Sequence, residues 1–136
     1  MFKILRLSAL FIGLASGLFA FNYPVLTEMI KWDKTQHNFG EITQHKPVTA
    51  VFTLTNQGNE QLLLKKVKGS CGCTATSYDQ APIGPGLSTQ IEATYNAKKV
   101  GVFKKTVTVT TNLSDQPVIL TLTGEVVPQL PEVGEI

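Results

Sequence analysis

Four stretches of this chain alternate side chains with a period of two, and that constrains what it can fold into more than any other feature. Residues 47–55 place Val48, Ala50, Phe52 and Leu54 on one side and Thr49, Val51, Thr53 and Thr55 on the other. Residues 89–95 turn Ile91, Ala93 and Tyr95 one way and Gln90, Glu92 and Thr94 the other. Residues 103–111 alternate Phe103, Lys105, Val107 and Val109 with Lys104, Thr106, Thr108 and Thr110, and residues 117–126 alternate Val118, Leu120 and Leu122 with Ile119, Thr121 and Thr123. A helix would repeat every three to four residues; a period of two is the mark of a half-buried strand. The Thr and Val content of these stretches suits strands as well.

Residues 61–67, with three consecutive leucines, extend the series, and Trp32 and residues 37–42 read as opening edge strands. Asn56-Gln57-Gly58-Asn59 supplies turn chemistry, with Gly58 or an Asn able to take positive φ, and Asn112-Leu113-Ser114-Asp115 joins the last two strands as a hairpin loop. About seven strands, with turn signals roughly every ten residues, predict an all-β, immunoglobulin-like sandwich of antiparallel strands. A small closed barrel is the alternative architecture. Phe52, Leu54, Ile91, Val107, Val109 and Leu120 are the expected core. The 136 residues suffice for one such domain and show no internal repeat.

The N-terminus has a different grammar. Residues 1–6 are short and positive, and residues 7–21 are apolar apart from Ser8 and Ser16. No charge appears between Arg6 and Glu28, and small residues stand at Gly17 and Ala20. This order predicts a secretory signal helix over residues 1–20, or an uncleaved anchor, then a linker over 21–30, the sandwich over 31–127 and a loose tail over 128–136. The expected locations are periplasm, cell surface or secreted. Of the 12 Lys and Arg, Lys3 and Arg6 lie in the leader, which leaves ten against 10 Asp and Glu. The domain is near neutral, so the electrostatic footprint of a nucleic-acid binder is absent.

Particular residues then resemble a family. His37-Asn38-Phe39-Gly40-Glu41-Ile42, Thr53-Leu54-Thr55-Asn56-Gln57-Gly58, Ser70-Cys71-Gly72-Cys73-Thr74, Pro82-Ile83-Gly84-Pro85-Gly86, Gly101-Val102-Phe103-Lys104-Lys105 and Thr110-Thr111-Asn112 follow one another in that order. Together they resemble the bacterial domain of unknown function DUF1573, similar at fold level to immunoglobulin-like domains of the major-sperm-protein and hydin type. The resemblance spans residues 32–125. It implies an exported Ig-like sandwich and no particular activity.

Chemistry concentrates at Cys71-Gly72-Cys73, where both cysteines lie. As a staple the pair closes almost no loop, so it would stabilise little. In a straight strand the two Cα atoms would stand about 6.6 Å apart, near the limit for a bridge, so Gly72 would have to bend. The pair is therefore a candidate disulfide or redox couple. Reduced, it is a candidate clamp for copper or zinc, although Cys-x-Cys departs from the usual zinc spacing and only His37 and His45 could supply imidazole. The bland reading is a tight turn with small apolar packers, and intermolecular pairing is a further one.

Other features carry less. His37 and His45 read as surface histidines, and nothing local makes a Cys–His hydrolase. Lys65, Lys66, Lys68, Lys98, Lys99, Lys104 and Lys105 are either a basic patch for an acidic glycan or head group, or charges guarding exposed strands. Asn112-Leu113-Ser114 matches a glycosylation sequon but reads as a hairpin turn, Gly84-Pro85-Gly86 is a turn rather than a phosphate loop, and Trp32 and Tyr95 are core or strand-edge aromatics. The expectation is a non-enzymatic binding or scaffolding module without cofactor, for a protein or glycan partner in the cell envelope. The alternative is a thiol redox or soft-metal protein built on Cys71 and Cys73.

Overall fold

A computed structural model of the chain describes residues 28–131; the expected leader and the last residues of the tail lie outside them. No helix occurs among the described residues. The strands are β1 (Ile30–Trp32), β2 (Gln36–Thr43), β3 (Val48–Asn56), β4 (Leu64–Gly69), β5 (Thr74–Tyr78), β6 (Ser88–Tyr95), β7 (Gly101–Thr111) and β8 (Val118–Val127). They form two four-stranded sheets, ordered β1-β3-β6-β5 and β2-β8-β7-β4. The result is a β-sandwich, with eight strands rather than about seven. The additional strand is β5, whose Thr-Ala-Thr-Ser-Tyr run has no apolar alternation to announce it.

The alternating positions face each other across the sandwich. Phe52, Leu54, Ile91, Val107, Val109 and Leu120 are fully buried, as their periodicity requires. They are joined by Ala50, Leu62, Ala93, Leu122 and Val126. The run of leucines does not form one strand. Leu62 is buried and bridges to Ile83, Leu63 turns outward, and β4 begins at Leu64. Lys105 departs from its buried neighbours on β7 and is half-buried.

Strand direction needs one correction. β2 runs parallel to β8, with His37 opposite Leu122, so the sandwich is not wholly antiparallel. The cause is a change of sheet: β1 pairs antiparallel with β3, then the chain crosses within three residues to the other sheet. Asp33 fixes the crossing, its Oδ1 accepting from the backbone N–H groups of Lys34 (2.7 Å) and Thr53 (2.8 Å).

The Asn56 end of the molecule is held by side-chain amides. Asn56 is buried; its Nδ2 donates to the carbonyls of Glu60 (2.7 Å) and Ile83 (2.9 Å), and its Oδ1 accepts from the Gly58 N–H (3.0 Å). Its backbone N–H donates to Leu87, and its carbonyl accepts from Gly86. Neither Gly58 nor an Asn in this loop takes positive φ; Asn56 shapes the loop by hydrogen bonding instead. Gly84-Pro85-Gly86-Leu87 is a β-turn closed by the Leu87 N–H on the Gly84 carbonyl (3.1 Å), with Gly86 at φ +76. That is the type II pattern, proline at the second position and glycine at the third. Asn112 ties the β7–β8 hairpin to residues 61–63, accepting from the Leu63 N–H and donating to the Gln61 carbonyl.

Candidate functional site at the Cys-Gly-Cys corner

β4 belongs to one sheet and β5 to the other, and only Ser70-Cys71-Gly72-Cys73 lies between them. The chain changes sheet in four residues, so the corner must be tight. Gly69 makes it so: a Cβ there would lie 2.6 Å from the Thr74 carbonyl oxygen, closer than any side chain can stand. The turn is closed by the Thr74 N–H donating to the Cys71 carbonyl (3.2 Å), with Gly72 and Cys73 as its central residues. Two further bonds anchor its flanks. The Ser70 N–H donates to Thr106 on β7 (2.8 Å), and the Asn96 N–H donates to the Cys73 carbonyl (3.0 Å).

Within this turn Cys71 and Cys73 are joined as a disulfide, with their Cα atoms 5.2 Å apart. The bend brings them well inside bridging range, where a straight strand would not. Both cysteines are half-buried and Gly72 is exposed. A Cβ on Gly72 would meet nothing within 4 Å. The glycine is therefore not required by packing, and it leaves the bridge approachable from outside.

The Thr74 hydroxyl stands 3.9 Å from Cys71 Sγ. Beyond the Ser70–Thr106 pair the chain leaves β7 for the other sheet. On β7, Lys105 lines a small open cleft of about 170 Å³ with Tyr95, Lys99, Val100 and Phe103. Tyr95 is buried and stacks on Phe103, ring centroids 4.1 Å apart.

The two histidines take separate positions. His45 occupies the β2–β3 turn at φ 63, and its backbone N–H reaches Ala97, next to the residue that holds Cys73. Its loop thus shares an end of the sandwich with the cysteines through backbone contacts. His37 sits on β2 against Phe39 (centroids 4.5 Å, edge to face), with Lys34 Nζ 3.3 Å from its Nδ1. Desolvation, and then the Lys34 charge, hold its pKa below the ordinary 6.5. Among the described residues no three His, Cys, Asp or Glu side chains cluster as metal ligands, so a copper or zinc ion would find only the two sulfurs, and only after reduction.

The lysines divide by face. β4 and β7 are neighbours, and Lys66, Lys68 and Lys104 share the outer face of their sheet. Lys65, at the β4 bulge, is exposed as well. Since β4 is an edge strand, this arrangement fits charges guarding an exposed edge.

Solved structures share the architecture at low identity. A protein of unknown function from Porphyromonas gingivalis W83 aligns with a TM-score of 0.61 at 17% identity, over 76% of this chain and 51% of that one. This chain thus spans about half of that protein. The ASH/PapD-like domain 7 of human CEP192 aligns at 0.63 and 8% identity, over 75% of this chain and 87% of the domain. The VesB protease of Vibrio cholerae aligns at 0.59 and 15% identity, over 73% of this chain and 32% of the protease. These likenesses concern the Ig-like fold alone. No curated protein matches the sequence significantly. The model of the family Protein of unknown function DUF1573 matches residues 30–126, which take in the Cys-Gly-Cys corner and all eight strands except Val127, and the chain belongs to that family.

Proposed function

We propose that the chain is an exported, non-catalytic Ig-like module that binds a protein or glycan partner in the cell envelope. The observation that carries this reading is where six of its Asp and Asn side chains are spent. Asp33, Asn38, Asn56, Asp79, Asn96 and Asn112 each hold backbone N–H or carbonyl groups in turns and crossings. Side chains invested this way make rigid loops, and rigid loops on a sandwich are how such domains present a binding surface. A surface disulfide supports export, because such bonds persist in oxidising compartments. The test is to express the full chain in a bacterial host, fractionate the cells, and measure intact mass and thiol content. Cleaved, oxidised protein outside the cytoplasm is expected; full-length, reduced protein in the cytoplasm contradicts the reading. Partner binding is then measured with the exported form on a cell-wall glycan array and by cross-linking in the envelope; silence in both arms removes the binding role.

One observation favours a second reading, a thiol–disulfide couple. The bridge is half-exposed, constrains almost no chain, and is flanked by a glycine that packing does not demand. Titration against glutathione redox buffers tests it: a bridge that opens in the folded protein within the buffer range supports the couple, and one that resists throughout removes it.

A further inference from the structure

Each sheet ends in two edge strands, and three of the four carry a feature that discourages pairing with another chain. β1 is only three residues long. β2 is broken by a bulge at Phe39 and Gly40. β4 has a bulge at Lys65 and presents Lys65, Lys66 and Lys68. β5 has none of these. Its Thr74-Ala75-Thr76-Ser77-Tyr78 run contains no charge and no proline, and it pairs with β6 in unbroken register.

The Asn96–Cys73 hydrogen bond sets the alternation along this ladder. In an antiparallel pair every second residue directs its backbone to the neighbouring strand. Cys73, Ala75 and Ser77 therefore face β6, and the N–H and carbonyl of Thr76 and the N–H of Tyr78 face the open side. Among the described residues β5 pairs with β6 alone and no backbone or side-chain bond reaches those groups, while the Thr76 hydroxyl donates to the Val67 carbonyl of β4 (3.4 Å). The same strand begins at Thr74, the residue after the disulfide.

We propose that β5 accepts an extended segment of a partner polypeptide as an added antiparallel strand, and that this docking delivers a cysteine of the partner to the Cys71–Cys73 bond. The proposal rests on the thiol reading above and names its substrate class: exported polypeptides with a neutral, extended stretch ending in cysteine. β5 runs away from the disulfide, so an antiparallel partner runs toward it, and the cysteine belongs at the C-terminal end of the stretch. A second copy of this chain is the poorer occupant, because two five-residue edges cover far less than the roughly 1,200 Å² of a stable interface. Docking uses main-chain hydrogen bonds, as in strand addition to other open sheets.

The exchange balances without another reagent. A partner thiolate attacks one sulfur of the bridge; the new S–S bond forms as the Cys71–Cys73 bond breaks, and the other cysteine leaves as a thiolate that takes a proton from water. A second partner thiolate then attacks the partner's own sulfur in the mixed disulfide, releasing the remaining cysteine as a thiolate. The partner's two thiols end oxidised to a disulfide, and Cys71 and Cys73 end reduced.

The test uses the oxidised protein and three synthetic peptides: Thr-Val-Thr-Val-Thr-Cys, the same with cysteine moved to the N-terminus, and Thr-Pro-Thr-Pro-Thr-Cys. Mixed-disulfide formation is followed by intact mass, with dithiothreitol as the docking-independent reference. The first peptide is expected to react about tenfold faster than the other two. That advantage disappears in Thr76→Pro, which removes the open N–H, and in Ser77→Lys, which puts a charge on the edge, while the dithiothreitol rate stays unchanged. Ser77 is exposed, so its variant remains informative if Thr76→Pro folds poorly. Equal rates for the three peptides, with dithiothreitol still opening the bridge, overturn the docking edge and leave the thiol reading standing. A bridge that dithiothreitol cannot open in the folded protein removes the thiol reading and this proposal with it.

Discussion

The two ends of the sandwich are tied in opposite ways. At one end Cys71 and Cys73 are joined covalently, yet the bond links positions two residues apart. At the other end Asn56 is joined to nothing covalently, yet its amide holds Glu60 and Ile83, the latter 27 residues away. Loop closure decides which matters more to the fold. A cross-link stabilises by restricting the unfolded chain, and a minimal loop offers almost nothing to restrict. A buried amide with all its groups engaged leaves several orphaned partners when it is removed. The stronger bond is thus the weaker tie, and the corner is free to serve chemistry while the Asn56 end serves structure.

That contrast is broken or sharpened by substitution, beginning with the largest effect. Asn56→Ala strands the Glu60 and Ile83 carbonyls and the Gly58 N–H, and should cost on the order of 3 kcal/mol in denaturant unfolding. A loss no greater than that of the cysteine double variant would erase the difference between the two ends. Gly69→Ala forces the corner open against the Thr74 carbonyl and should cost about 1–3 kcal/mol. This separates the corner's backbone, which the fold needs, from its bridge. Cys71→Ser with Cys73→Ser should cost about 1 kcal/mol or less, from lost packing of the half-buried sulfurs. Thermal melting of oxidised, reduced and doubly substituted protein measures it.

The smallest effect lies outside both regions and serves as their control. His37 has a folded pKa below 6.5, so the unfolded chain binds its proton more readily. Its contribution to stability is complete above the unfolded value and is lost as pH falls through the lowered folded value. Ring titration by NMR should show this shift, and Lys34→Gln should move the titration part of the way back up, since burial is the larger cause and remains. Neither result should depend on whether the bridge is open.

The alternation on β3, β6, β7 and β8 made the core legible, because burial of one face of a strand leaves a period-two record in the sequence. β5 left no such record. Its side chains are small or hydroxylic, and its place is set by pairing with β6 rather than by an apolar stripe. The parallel course of β2 is equally silent, since direction depends on where the chain crosses between sheets, and that crossing rests on Asp33 reaching the Thr53 N–H. Asn56 reads as one more turn residue until Ile83 is seen beside it. At the candidate site, the need for a bend at Gly72 follows from strand geometry alone, whereas Gly69, the glycine the corner cannot replace, carries no local signal because its neighbour Thr74 arrives only through the fold.

The most direct test of the contrast is the route by which the bridge opens. Dithiothreitol reduction of the folded protein is followed by thiol release across sub-denaturing urea, with circular dichroism recorded on the same samples. The account predicts a reduction rate almost independent of urea, and a reduced protein that keeps its β spectrum and melts within about 1 kcal/mol of the oxidised form. A rate that climbs with urea in step with global unfolding, or a reduced protein that loses its fold, would mean that the corner holds the sandwich together.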